Sequence, residues 1–313
     1  MSSRTSSLIR LFLRVQRHAQ RGATIASVRR LSRWTERLYA VPKDVRWEKV
    51  PHGDLTYEWL TPNNVTSSQV LFYIHGGGFV LPLYHPMRFT TAYLARLIGI
   101  RAVLVDYRLA PEHPFPAAVE DCVHAYHWLL TEEHVLPEQV VFVGESAGGN
   151  LVVTTLLALR DAEDPLPAGA VVIGPSFDFE GGGTIYTQYD PMVYPDLMMR
   201  YLTAYRGKAD PHAPLLSPLY ANLQGLPPLL VQVGEDELLR GDAEAFAARA
   251  EQARVQVTLH IWPGMWHFWH LFVPWLPEAR QAMVEIRDFV QLCSSASRSA
   301  SGTANRWATR PTV

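Results

Sequence analysis

The sequence is poor in cysteine and has no long apolar run. Its 313 residues include only Cys122 and Cys293, too few and too far apart to suggest a disulfide framework or a cysteine metal cluster. No stretch reaches the ~18 consecutive apolar residues of a membrane-spanning helix. Arg10 and Arg14 interrupt the apolar stretch near the start, which argues against a secretory signal. These absences favour a reduced, cytoplasmic setting and predict no stable membrane insertion.

An excess of charge of one sign is also absent from most of the chain. The formal net charge is −2 and acidic and basic residues are mixed, so there is no global basic field for nucleic acid. Residues 1–35 are the exception, with eight arginines and no Asp or Glu. Arginine-rich, acid-poor amphipathic starts serve in targeting and at membrane surfaces. The alternative, which we favour, is a helix packed on the same protein, because apolar residues recur at helical spacing at Val28, Leu31, Trp34 and Leu38.

Short apolar runs alternate with helical patterns from residue 45 onward. The eight runs are 45–50, 55–61, 69–75, 101–106, 140–144, 168–173, 228–233 and 256–262. The helical patterns between or after them are 87–99, 116–130, 147–162, 242–253 and 278–292. This alternation predicts an α/β fold with a mostly parallel eight-stranded sheet and helices on both faces. The turn "PHGD" predicts that the first two strands form an antiparallel hairpin at one edge.

One connection is much longer than α/β connections usually are. It runs from Ile173 to Pro228, is rich in Tyr and Met, and predicts additional helices above the sheet. The tail after Ser294 has few side chains that a core could bury. The predicted organisation is N-terminal cap helices in 1–44, a main α/β domain in 45–180 and 219–292, a cap insertion in 181–218 and a disordered tail in 293–313.

The segment "VGESAGGN" lies where the fifth predicted strand turns into a helix. Gly-x-Ser-x-Gly at a strand-to-helix turn is the pattern of a nucleophile elbow, in which small neighbours allow a sharp, strained turn that exposes the serine oxygen. A serine hydroxyl is a poor nucleophile until a base takes its proton. Ser146 as nucleophile therefore predicts a histidine and an orienting acid elsewhere in the chain.

The loops after the last two predicted strands contain candidates for both partners. Asp236 in "GEDELLRGDA" is expected to orient His267 in "WPGMWHFWH". Glu235 and Glu237 flank Asp236 and compete with it, whereas Asp242 is predicted to cap the following helix. His270 lies one helical turn from His267, but no carboxylate or cysteine at ligand spacing accompanies the pair. Packing is the favoured role of His270, and no metal is expected.

The glycines of "YIHGGGFV" predict an oxyanion hole. A developing tetrahedral oxyanion needs preorganised N–H donors, and glycines allow the backbone to approach that oxygen closely. The expected donors are Gly77, Gly78 and Ala147, the last being the residue after the nucleophile. A phosphate-binding loop is disfavoured, because no Lys-Ser/Thr follows the glycines and the G-x-G-x-x-G spacing is absent.

Several motifs found in order resemble one family across residues 40–292. They are "HGGGF" (75–79), "DYRLAPEHPFPAA" (106–118), "GESAGGN" (144–150), "SPLYANLQGLPPLLVQVGEDELL" (217–239) and "WPGMWH" (262–267). Together they resemble the hormone-sensitive-lipase-like α/β-hydrolase esterases, the bacterial group that includes monoterpene lactone hydrolases. The chain departs from the common pattern in two places: it has Asp-Glu-Leu at 236–238 where many members have Asp-Pro-Leu, and Glu145 where Asp is commoner.

The resemblance implies an α/β-hydrolase fold with a helical cap, a triad of Ser146, Asp236 and His267, and oxyanion donors at Gly77, Gly78 and Ala147. It implies no cofactor and a scaffolding role for Arg108, Glu112 and His113. The implied reaction is acyl transfer through an acyl-enzyme from a short- to medium-chain ester or a lactone. The residues expected to contact the substrate are Phe79, Tyr84, Glu145, Tyr189, Met192 and Tyr194.

Alternatives remain at this point. Lactone hydrolysis as the main activity is one, a non-catalytic ligand-binding member of the fold is a second, and a deacylase docked on membranes through the arginine-rich start is a third. A homodimer is compatible with the resemblance, and no nucleic-acid partner is expected.

Overall fold

A single eight-stranded sheet organises the protein. In the computed structural model, residues 3–19, 24–35, 39–180 and 190–300 are described. The strands lie in the order β1-β2-β4-β3-β5-β6-β7-β8. Their bounds are β1 Val45–His52, β2 Leu55–Pro62, β3 Val70–Ile74, β4 Arg101–Asp106, β5 Val140–Glu145, β6 Gly169–Ile173, β7 Leu229–Gly234 and β8 Val257–Trp262. This order confirms the predicted mostly parallel sheet.

The pairing of the strands follows from their apolar patterns. β1 and β2 form an antiparallel hairpin, and β2 also pairs antiparallel with β4, whereas the pairs from β3 to β8 are parallel. All five residues of β3 and all six of β7 are buried, as expected of strands covered on both faces. The edge strand β1 is mostly exposed instead, with only Val45 buried.

Helices cover both faces of the sheet. Those within the main domain are α3 His85–Ile98, α4 Ala117–Thr131, α5 Ala147–Asp161, α7 Arg240–Gln252 and α8 Pro277–Ala300. Successive side chains of a strand point to opposite faces, so Phe72 joins the core beneath α4, α5 and α7, and Leu71 joins the core beneath α3 and α8. The carboxyl ends of the central strands therefore open at one edge between these layers.

Two segments lie outside this three-layer arrangement. The N-terminal arm, residues 1–44, contains α1 Arg4–Ala19 and α2 Ile25–Thr35. The long connection between β6 and β7 contains α6 Pro195–Arg206, which confirms that it adds a helix. The buried Leu13 of α1, and Leu202 and Tyr205 of α6, show that both segments pack on the main domain.

The prediction of a disordered tail from residue 293 is wrong for its first eight residues, because α8 continues to Ala300. Cys293 is buried, and its sulfur lies where a side chain on Gly169 of β6 would be. The absence of a side chain on Gly169 therefore provides the space that Cys293 of α8 occupies. Residues 301–313 lie outside the described residues. Within the described part of the chain, no helix has the length and apolar character needed to span a membrane.

Candidate active site

Ser146 occupies a strained turn between β5 and α5. Its φ of 56° and ψ of −120° lie outside the regions that non-glycine residues usually adopt. The Ser146 N–H donates to the carbonyl of Ile173 at 2.8 Å, and the Ser146 carbonyl accepts from Asn150 at 3.2 Å. These bonds hold the turn at the carboxyl edge of the sheet, where Ser146 is partly exposed to a cavity.

The glycines of the motif are required by close backbone contacts. A Cβ on Gly144 would collide with the carbonyl of Gly148, and a Cβ on Gly148 would collide with the carbonyl of Ile74 in β3. Asn150 adds two bonds, from its side-chain amide to the carbonyls of Ser176 (2.8 Å) and Leu216 (2.9 Å). The motif therefore fixes the serine against three neighbouring segments.

His267 follows β8 and faces the same cavity. Its Nδ1 lies 2.6 Å from Oε1 of Glu237, and both side chains are almost completely buried. Oε2 of Glu237 accepts the Gly234 N–H at 2.8 Å. The carboxylate is thus held at one oxygen by the end of β7 and presents the other to the histidine, an arrangement that fixes the imidazole with Nδ1 protonated.

The prediction that Asp236 orients His267 is wrong. The chain turns tightly after β7, with the Glu237 N–H donating to the carbonyl of Gly234, and this turn brings the side chain of Glu237 back over the strand end. Asp236, one residue earlier, points the other way. Its carboxylate is 40% exposed and forms an ion pair with Arg10 of α1 at 2.7 Å.

The other carboxylates of this loop also have partners. Oε2 of Glu235 accepts the Gly264 N–H at 2.7 Å. Asp242 lies within the first turn of α7, which begins at Arg240, and accepts the N–H groups of Phe177 (2.7 Å) and Asp178 (3.2 Å). The expectation that Asp242 caps this helix is therefore wrong, because its carboxylate satisfies the loop after β6. Burial raises the pKa of Asp242 to about 7.

Asp190 is a buried residue of the site that the sequence analysis missed. One of its oxygens accepts the N–H groups of Leu238 (3.1 Å) and His267 (3.2 Å), and the other accepts those of Met192 (2.8 Å) and Val193 (3.2 Å). It therefore joins the start of the cap to the loops that carry Glu237 and His267. The dipeptide Asp-Pro within an otherwise aromatic and Met-rich segment was the available signal.

The electrostatic surroundings favour a charged His267. Burial alone would lower its pKa, but the charge and hydrogen bond of Glu237, together with the charges of Asp190 and Glu145, raise the pKa above 6.5. A histidine in this setting accepts a proton more readily than one in water. This is the property required of a general base beside a serine.

The oxyanion-hole candidates Gly77, Gly78 and Ala147 line the same cavity as Ser146. Gly77 and Gly78 have φ values of 101° and 64°, and neither N–H donates a hydrogen bond within the described residues. Ala147 occupies the first position of α5, where an N–H has no acceptor inside the helix. A Cβ on Gly78 would collide with the ring of Tyr201 in α6, so the glycine loop lies directly beneath the cap.

Glu145 supports this loop from below. Its Oε1 accepts the Gly76 N–H at 2.7 Å, and the side chain is buried beside Ser146. Burial raises its pKa to about 7, although the Tyr73 hydroxyl and the Gly76 N–H lower it in part. The partner that the sequence analysis did not identify for this carboxylate is thus the backbone of the glycine loop.

A cavity of about 360 Å³ lies over Ser146 and His267. The N-terminal arm contributes Phe12, Leu13, Val28 and Tyr39 to its wall. The predicted contact residues Phe79, Tyr84, Glu145, Met192 and Tyr194 all line it, and further apolar residues of the cap segment, including Leu197 and Met198, complete the lining. Tyr189 lies outside the described residues.

Two arginines attach the N-terminal arm to the site loops. Arg10 binds Asp236 through Nη1 and the carbonyl of Gly264 through Nη2, at 2.7 and 2.6 Å. Arg29 of α2 binds Glu112 at 2.7 Å and donates to the carbonyl of Val80, also at 2.7 Å. The predicted helical packing of the arm is present, although the side chains of Leu31, Trp34 and Leu38 lie outside the described part of the structure.

The remaining predicted residues lie outside the cavity wall. Nε2 of His270 is 2.8 Å from Oε1 of Gln232, and the ring is completely buried, which agrees with a packing role. Arg108 pairs with Asp121 at 2.7 Å, Glu112 pairs with Arg29, and His113 is exposed. No group of three potential metal ligands occurs among the described residues.

Comparisons with known proteins agree with this architecture. Residues 71–271 match the family model described as "alpha/beta hydrolase fold". An acetyl-hydrolase of Streptomyces hygroscopicus is 41% identical over 243 residues, which are 75% of this chain and 81% of that protein. An esterase of Acinetobacter venetianus is 33% identical over 72% of this chain and 75% of its own length.

Solved structures of esterases are also similar to this chain. An esterase from the bacterial hormone-sensitive lipase family superposes with a TM-score of 0.88 at 40% identity, covering 94% of this chain and 99% of that one. The structure of EstE5 soaked with p-nitrophenyl butyrate superposes with a TM-score of 0.86 at 35% identity, covering 94% and 100%. The chain therefore belongs to the α/β-hydrolase fold family and, within it, to the esterases of the bacterial hormone-sensitive lipase family.

Proposed function

We propose that the protein hydrolyses short- to medium-chain carboxylic esters with a triad of Ser146, His267 and Glu237. The observation that carries this proposal is the 2.6 Å contact between Nδ1 of His267 and Glu237 behind a strained serine that opens into the same cavity. The acid in this proposal is Glu237, not Asp236.

The first step is acylation. His267 takes the proton of Ser146 through Nε2 while the serine oxygen attacks the ester carbonyl, and a tetrahedral oxyanion forms. The N–H groups of Gly77, Gly78 and Ala147 stabilise that oxyanion. Glu237 keeps His267 in the tautomer with Nδ1 protonated and stabilises the imidazolium. His267 then returns the proton to the leaving alkoxide, and the alcohol departs.

The second step is deacylation by water. His267 takes a proton from the water, which attacks the acyl carbonyl, and the same N–H groups stabilise the second oxyanion. The proton then passes to Ser146 as the carbon–oxygen bond to the enzyme breaks. The acid product leaves, and the enzyme returns to its starting state.

The size and lining of the cavity support a small apolar acyl or alcohol group. Its volume of about 360 Å³ is at the lower end of the ~300–1,000 Å³ typical of ligand pockets. Similar proteins are an acetyl-hydrolase and an esterase, and crystals of EstE5 were soaked with p-nitrophenyl butyrate. A lactone is an internal ester, so lactone hydrolysis remains a prediction for the same machinery.

A panel of p-nitrophenyl esters of rising acyl length, with a parallel lactone panel, tests the proposal. We expect turnover of the wild type to peak at short or medium acyl chains, and Ser146→Ala to lose at least about a thousandfold in kcat while keeping its fold by circular dichroism. Serine-independent turnover would remove Ser146 from its role. A folded wild type with no turnover on either panel would favour a ligand-binding protein.

A further inference from the structure

The outward face of α1 is apolar. Leu8, Leu11 and Phe12 are 69%, 61% and 59% exposed, which makes them the three most exposed large apolar side chains among the described residues. Their spacing of three and four residues places them on one side of a single helix. Exposed apolar residues scattered singly need no explanation, but a contiguous group marks an interaction surface.

The opposite face of the same helix is firmly attached to the protein. Leu13 and Ser6 are buried, and the Ser3 N–H and hydroxyl bind the carboxylate of Glu278 at the start of α8, at 2.7 and 3.0 Å. Arg10 holds the middle of the helix through the ion pair with Asp236. Because both the N-terminal end and the middle of the helix are bound, the apolar face points outward as a fixed surface.

The charge around this face has one sign. Arg4 and Arg14 are exposed near the two ends of the apolar group, and residues 1–35 contain eight arginines and no acidic residue. A second copy of this face would therefore meet it with like charge. An apolar strip flanked by arginines on an acid-free helix complements a surface that is both negatively charged and apolar beneath.

The face also lies beside the opening of the cavity. Phe12 belongs to both, because it is exposed and lines the cavity wall. The ring of Trp275, 53% exposed, is 6.1 Å from that of Tyr39, which also lines the cavity. Trp side chains suit the boundary between water and lipid, since the ring is apolar and its N–H is polar.

We propose that the outward face of α1 docks the protein on an anionic lipid surface. Leu8 and Leu11 enter the boundary between head groups and acyl chains, while Arg4 and Arg14 lie at the level of the phosphates. The helix lies in the plane of the interface and does not span the bilayer, in keeping with its anchored inner face. This docking is independent of the hydrolytic chemistry.

Sedimentation of the full-length protein with lipid vesicles tests the proposal. We expect the wild type to sediment with mixed phosphatidylcholine–phosphatidylglycerol vesicles, less with phosphatidylcholine alone, and less with the mixed vesicles as salt rises. The double variant Leu8→Gln/Leu11→Gln should lose at least about tenfold in vesicle affinity, because two apolar side chains no longer enter the lipid. Leu136→Gln is the control. Leu136 is another exposed leucine, with 53% of its side chain accessible, but it lies at the opposite, amino-terminal edge of the sheet.

Two further measurements distinguish lipid docking from an effect on catalysis and from dimerisation. Hydrolysis of a soluble ester should be the same for the wild type and the double variant, since neither leucine lines the cavity. Equal sedimentation of the wild type and the double variant, or equal binding to neutral and anionic vesicles, contradicts the proposal. A wild-type dimer that becomes a monomer in the double variant, measured by light scattering, assigns the face to a second copy and likewise overturns it.

Discussion

Glu235, Asp236 and Glu237 are consecutive acidic residues with three different partners. Glu235 binds the backbone of the histidine loop, Asp236 binds the N-terminal arm, and Glu237 binds the imidazole of His267. A difference of one position in a tight turn changes the direction of the side chain. Sequence spacing located the loop, but the choice of Asp236 among the three was wrong, because the turn from Gly234 to Glu237 depends on hydrogen bonds that the sequence does not display.

The pH dependence of hydrolysis follows from the surroundings of His267. A general base must be neutral, so kcat/KM should fall as pH drops through the pKa of His267, which lies above 6.5 in this environment. Glu237→Gln removes the main charge that raises this pKa, so the acidic limb should shift to lower pH as the maximum rate falls. Measured pH profiles of both proteins check this. A limb that stays in place or moves upward in the variant contradicts the assigned partner.

At the scale of elements, the sequence predicted the strands of the sheet well and the helices that pack on it less well. Predicted strand bounds agree with the structure to within two residues, because buried parallel strands are short apolar runs between polar turns. The extent of α8 was underestimated, since the Ser- and Ala-rich stretch after Leu292 has no apolar period and Cys293 is buried in the space beside Gly169. The packing of the N-terminal arm was predicted, but its ion pairs were not.

The pair of Arg10 and Asp236 should couple the arm to the site loop. Both side chains are partly exposed, at 18% and 40%, so solvent screening limits the coupling to less than about 1 kcal/mol. A double-mutant cycle of Arg10→Gln and Asp236→Asn, followed by denaturant unfolding, measures it. We also expect either variant to raise KM more than it lowers kcat, because the arm contributes cavity wall but no reacting atom. Fully additive single effects would show that this pair does not attach the arm.

At the scale of the whole molecule, three separate parts of the chain complete the site. The sheet presents Ser146 and the two loops that carry Glu237 and His267, and the N-terminal arm and the cap segment both contribute to the cavity wall. Asp190 joins the cap to both loops with four N–H groups. The fold and the positions of Ser146 and His267 could be predicted from local motifs, whereas this junction brings together residues distant in the chain.

Asp190→Ala should therefore lower both the stability of the protein and its hydrolytic rate. The change leaves four backbone N–H groups without their acceptor, and one unsatisfied buried donor typically costs about 1–3 kcal/mol. We expect the free energy of unfolding to fall by at least about 2 kcal/mol and kcat to fall with it. Asp196→Ala, at an exposed position in the first turn of α6, is the comparison variant. Similar losses of stability and kcat in both variants would mean that the hydrogen bonds of Asp190 do not stabilise the junction between the cap and the two loops.

The most direct test of the proposed triad is kcat/KM for a short-chain p-nitrophenyl ester, measured for Glu237→Gln and Asp236→Asn side by side. Glutamine keeps the shape of the side chain but does not hold His267 in the required tautomer and charge state. We expect a loss of about 10³–10⁴-fold for Glu237→Gln and less than about tenfold for Asp236→Asn, whose partner is a partly exposed arginine. The reverse order would assign the catalytic acid to Asp236 and contradict the triad of Ser146, His267 and Glu237.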